Sequence, residues 1–115
     1  LNPQINNVAC NGRSIADLCR DAVWLLDQSL EKPPNPLGQD IDKVENIMVK
    51  IRDCFIARLR EDHSRQGSRW RMPLDQANIT ISLIAAVEYP ATGVQRKYLE
   101  QAREVIREIQ QNMPG

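Results

Sequence analysis

Prolines at 33, 34, 36, 73 and 90 cut the chain into four stretches, and no other feature constrains its fold as tightly. Proline lacks the backbone N–H and restricts the residue before it, so a helix seldom runs through one. Between the breaks, aliphatic residues recur at three- and four-residue steps, the spacing of one helical face. In the first stretch Ser14 precedes Asp17, a short acceptor ahead of an acidic first turn. Ile15, Leu18, Cys19, Ala22, Val23, Leu26 and Leu30 then form a stripe, with Arg13, Asp17, Arg20, Asp21 and Asp27 taking most other positions. The pattern predicts an amphipathic helix that stops at Pro33-Pro34-Asn35-Pro36.

A second helix is expected from Asp40 or Asp42, where Asp42 with Glu45 is a variant of the capping box. Ile41, Val44, Ile47, Met48, Ile51, Cys54, Phe55 and Leu59 are its stripe, and nothing stops it before residue 60. Pro73 suits the first position of a third helix. Leu74, Ala77, Ile81, Ile84 and Ala85 make one face, yet Ile79, Leu83, Ala86 and Val87 line the other. Ile79 to Leu83 also alternates like a β-branched strand. Helix is the better reading, because a lone strand would have no partner. Thr92-Gly93-Val94-Gln95 is an S/T-x-x-Q capping box opening a fourth helix, with Val94, Tyr98, Ala102, Val105, Ile106 and Ile109 as its stripe. Arg96 with Glu100, Glu100 with Arg103 and Glu104 with Arg107 have the spacing of helical ion pairs.

Four such helices joined by short loops predict an all-α fold, an antiparallel four-helix bundle over residues 13–115. Residues 1–12, rich in Asn, Pro and Gly, read as a short irregular N-terminal arm. With 115 residues, 42% of them hydrophobic, the chain can bury one core. Only Trp24, Phe55, Trp70, Tyr89 and Tyr98 are aromatic, so that core must be aliphatic. Fifteen basic residues balance fifteen acidic ones, which excludes a histone-like polycation and an acidic solvating tail.

Cys10, Cys19 and Cys54 are an odd set without a C-x-x-C, a poor disulfide framework. Cys19 and Cys54 fall on helical stripes and read as small buried hydrophobes, which makes a reducing, cytoplasmic setting the expectation. The start at Leu1 points to an excised domain or a processed product. No apolar run approaches the ~18–20 residues of a membrane span, so no membrane partner is expected. The glycosylation sequon Asn78-Ile79-Thr80 lies inside a strongly apolar stretch and reads as a chance match.

The inventory gives little to catalysis. One histidine and no carboxylate or thiolate cluster of ligand spacing predict no metal site. The five glycines are scattered, so no phosphate loop and no cofactor are expected. Cys54 and His63 are nine residues apart, about 13 Å along a continuous helix axis, too far for a nucleophile and its base. Asp17 with Asp21, and Glu100 with Glu104 and Glu108, share faces with arginines and read as solvated. The expectation is a protein that is not an enzyme.

Charge is uneven along the chain. Residues 1–57 carry six basic and eight acidic side chains, whereas 58–115 carry nine and seven. Arg58, Arg60, Arg65, Arg69 and Arg71, with Trp70 among them, outweigh Glu61 and Asp62. Arginine forks grip carboxylate or phosphate, and an exposed tryptophan would offer a stacking face. These six residues are the candidate partner-binding surface. The bland alternative is a solvated loop whose Trp70 folds back onto the bundle. Overall neutrality counts against a dedicated DNA binder.

Within the same segment, His63-Ser64-Arg65-Gln66-Gly67-Ser68 resembles the histidine-phosphotransfer signature, in which His is followed at +3 by Lys and at +4 by Gly. That resemblance would imply a helical bundle relaying a phosphoryl group through His63. Gln66 stands where the family has lysine, Arg65 replaces a hydrophobic residue, and Pro73 interrupts the family's active helix. An exposed loop histidine is the preferred reading. The sequence as a whole points to a small non-catalytic interaction or regulatory module that binds a macromolecule, foremost a protein. Residues 58–71 would be its polar contact surface and the apolar third helix a second one, with a homodimer through 74–88 as one form of it. RNA or single-stranded nucleic acid bound by the same arginines is the alternative.

Overall fold

All four expected helices are present: α1 (Ile15–Glu31), α2 (Gly38–Glu61), α3 (Arg71–Ala85) and α4 (Gly93–Asn112). The structure is a computed structural model that describes residues 9–10, 13–31, 38–61, 69–87 and 93–112. Each helix packs on its chain neighbours and α4 closes back on α1, giving the four-helix bundle that the proline breaks predicted. Ile15, Leu26, Ile41, Met48, Ile51, Phe55, Leu99, Ile106 and Ile109 are fully buried along the common axis.

The two described residues of the N-terminal arm belong to a strand pair. β1 (Ala9–Cys10) and β2 (Arg13–Ser14) pair antiparallel, with Ala9 opposite Ser14 and Cys10 opposite Arg13. The sequence between the strands is Asn11-Gly12, a strong two-residue hairpin signal. Residues 1–8, 11 and 12 of the arm lie outside the described residues.

Ser14 performs the capping role read from the sequence: its Oγ accepts from the Asp17 N–H at 3.1 Å. The other end of α1 has no basic residue in its last turn. A guanidinium from α4 does that work instead, since Arg96 donates to the Leu30 carbonyl. Seven residues further along α4, Arg103 reaches Asp27 of α1 at 2.8 Å. Both arginines therefore bind across helices, in place of the expected pairings with Glu100. Arg107 and Glu104 do meet, at 3.4 Å.

The 79–83 stretch is helical, and the strand alternative is overturned. Pro73 is the third residue of α3, where its missing N–H would have had no intrahelical partner. The Leu74 N–H then opens the ladder to the Trp70 carbonyl at 3.0 Å. Thr80 sits fully buried on the core face and returns its hydroxyl to the Gln76 carbonyl at 2.9 Å.

In α4 the inward stripe is Leu99, Ala102, Ile106 and Ile109. Tyr98, expected on that stripe, is 37% exposed. One residue is a 100° turn of the helix, so choosing 98 over 99 moved the line from the core to its edge. A second correction concerns sulfur. Cys19 is free and buried as expected, but Cys54 is disulfide-bonded. No helix among the described residues is long and apolar enough to cross a membrane.

Two serines, the cap of α1 and one inside the helix, make a test of this account. Ser14→Ala should cost about 1 kcal/mol in chemical denaturation, the usual value of a helix cap. Ser29 is fully buried with its Oγ unpartnered. Ser29→Ala should therefore stabilise, by about 0.5–1 kcal/mol, because it removes an unpaired hydroxyl and raises helix propensity. Loss of stability in Ser29→Ala would mean that the hydroxyl is paired.

Candidate functional site: an apolar strip on α3 beside exposed arginines

The six predicted contact residues do not form one surface. Arg58, half-buried near the end of α2, pairs with Glu61 at 3.5 Å. Arg60 is exposed one residue before the same end. Both sit in the last turn of α2, where cations complement the helix dipole, so stability alone accounts for them. Arg65 lies outside the described residues, as do His63 and the rest of the phosphotransfer-like segment. Trp70 is only 9% exposed and packs against Phe55, with ring centroids 6.0 Å apart. Its ring is a core group and offers no open stacking face, which is the correction to its expected role.

Arg69 and Arg71 remain, both exposed at the start of α3. Their position runs against the helix dipole, whose positive end lies at the N-terminus. That turn has no acidic residue, and Trp70 at the N-cap makes no side-chain capping bond. Helix stability therefore explains neither arginine.

Immediately after them α3 turns apolar groups to water at intervals, with Asp75, Asn78 and Ser82 exposed among them. Met72 is 60% exposed and Ile79 51%, and Ala86 is exposed on the same side. Residues 72, 79 and 86 are seven apart, two helical turns each, so they lie nearly in line. Asn78, Ile79, Ser82, Leu83, Ala86 and, across from them on α4, Tyr98 line an open groove of ≈ 470 Å³. The sequence offered 74–88 as an apolar contact surface without indicating its face, because α3 is apolar on several sides, which hides the boundary between core and surface. Trp24 on α1 is also 59% exposed, but it stands between exposed Arg20 and exposed Gln28, as single surface apolars commonly do.

Ionisable chemistry is sparse around the groove. Among the described residues, no group of three or more His, Cys, Asp or Glu is placed to hold a metal ion. Cys19, on the far side of the core in α1, is fully buried, and burial pushes its thiol from 9.0 up to about 12. It has almost no thiolate at neutral pH and is chemically inert in the folded protein. The raised value means that folding holds the proton. The resulting stability is complete below pH 9 and is lost as pH rises towards 12. Stability should then fall by up to about 1.4 kcal/mol per pH unit in that window, and Cys19→Ala should remove this slope from equilibrium unfolding curves. Equal slopes in the two proteins would contradict the burial of the thiol.

Comparison with family models, with curated proteins and with solved structures returned no match to this chain.

Proposed function

We propose that this chain is a non-catalytic protein-binding module whose partner lays an amphipathic helix along α3. The observation that carries the reading is the strip of Met72, Ile79 and Ala86, exposed in a bundle whose other large apolar residues are mostly buried. A groove with apolar groups at helical intervals suits the i, i+3/i+4, i+7 anchors of a partner helix. Charge gives that helix a direction. Arg69 and Arg71 stand at one end of the strip, so the partner would bring carboxylates to that end, where Arg forks pair bidentately. The same two carboxylate-binding groups would also lie at the dipole end that favours an anion.

Nucleic acid is less well supported than protein. Burial of Trp70 removes the stacking group that reading relied on, and Arg58 is engaged with Glu61. A second copy of the chain is the other occupant to distinguish, through the same α3 face.

Ile79→Asp and Arg71→Glu change exposed residues and should leave the circular dichroism and unfolding midpoint close to wild type. In capture from the native host, proteins retained by wild type should be lost with both variants, by tenfold or more. Recovery of the same proteins on Ile79→Asp would sink the proposal. Sedimentation should show a monomer; a dimer abolished by Ile79→Asp would assign the strip to self-association. Single-stranded RNA should give no binding with a steep salt slope, and such a slope would favour the phosphate-binding alternative.

A further inference from the structure

We infer that Cys54 is joined to Cys10, so that a disulfide clasps the N-terminal hairpin onto α2, and that the chain matures where thiols are oxidised. The chain has three cysteines. Cys54 is disulfide-bonded and Cys19 is a free, buried thiol, which leaves Cys10 as the one intramolecular partner. The backbone agrees, because β1, which ends at Cys10, packs against α2, which carries Cys54. Bridging needs two Cα atoms within about 7 Å, so such packing is a precondition for the bond.

Closing it removes the thiol protons of Cys10 and Cys54 and two electrons as the Sγ–Sγ bond forms. The acceptor is a second disulfide, of a small-molecule or oxidoreductase class, whose own S–S bond breaks to give two thiols. Cys19 takes no part. Full burial withholds it from attack on the bridge, and its thiol ionises only near pH 12. The chain therefore has one possible intramolecular bridge in its folded state and no resident thiol to reshuffle it. Its mechanical effect follows from the order of elements. β2 pairs with β1 and runs directly into α1, with Ser14 both the last strand residue and the cap. A bond from β1 to α2 thus fixes the start of α1 against the body of its neighbour. Disulfides of this structural kind persist in oxidising compartments, in place of the reducing setting that an odd cysteine count suggested.

Thiol titration of the full chain tests the inference. Protein refolded with reduced and oxidised glutathione should show no thiol reactive with Ellman's reagent while native. It should show one after unfolding in guanidinium, and three after reduction. A peptide map without reductant should contain one linked pair, holding Cys10 and Cys54, that separates on reduction. Three thiols in the unfolded, unreduced protein would overturn the clasp, as would a Cys54-linked dimer on a non-reducing gel. Because Cys54→Ser alters packing in α2, Cys10→Ser provides the cleaner variant. Its unfolding midpoint should fall to that of the reduced wild type, and a midpoint equal to the oxidised wild type would also overturn it.

Discussion

The packing of α4 against α1 turns two helix hairpins into one enclosed core, and most other features of the molecule depend on it. With so few aromatic residues, the interior is built from Ile, Leu, Val, Ala and Met, and such a core excludes water only if all four faces are closed. The closing seam is also where the cross-helix polar contacts gather. Arg103 reaches Asp27 at 2.8 Å, and Arg96 donates to the Leu30 carbonyl. The Arg103–Asp27 pair is half-buried, so it gains more than a surface pair from its setting and loses part of that gain to desolvation. Its clearer effect is on register. The single bond from Arg103 Nη1 to Asp27 Oδ1 ties one point of α4 to one point of α1, a directional constraint that aliphatic contacts do not supply.

The hairpin end of the bundle is organised by a different device. Ser14 ends β2, caps α1 and begins the first buried turn, so three levels of structure meet at one residue. Ile15, next in the chain, is fully buried. The chain therefore enters the core at its cap with no intervening linker, and the placing of α1 depends on how firmly the hairpin is held. A covalent link from the hairpin to α2 would act through this junction, by narrowing the unfolded ensemble as well as by holding the folded geometry.

Helices and breaks were legible in the sequence because each rests on a local rule. Proline at 33–36, 73 and 90, the cap at Ser14 and the three-and-four spacing of aliphatics all act within a turn or two. Where the reading went astray, the deciding partner was distant in sequence. Arg96 and Arg103 had Glu100 within reach on their own helix, yet tertiary packing brought Leu30 and Asp27 closer. Trp70 looked like an exposed platform among arginines until Phe55 of α2 was seen to cover it. Cys54 fitted an apolar stripe, and no spacing rule within α2 reveals a partner outside it. Asn11-Gly12 is the exception, since a hairpin was locally readable there from the dipeptide alone.

The candidate site has the opposite character, for it is recognised by rules it breaks. Sequences that specify one fold tend to satisfy local propensity, burial and electrostatics together, and departures gather where function imposes its own demands. α3 departs on three counts within two turns of its start. It opens without a side-chain cap, it places Arg69 and Arg71 against its dipole, and it turns Met72 and Ile79 to water. The last turn of α2, with Arg58 and Arg60 favourably placed at a C-terminus, shows how the same residue type looks when stability explains it. A carboxylate-bearing apolar helix lying on α3 would correct all three departures together. It would cover the apolar strip, neutralise the arginines and bring negative charge to the positive end of the dipole. Solvent can relieve the third departure only at the cost of hydrating apolar surface, and it screens the second without removing it.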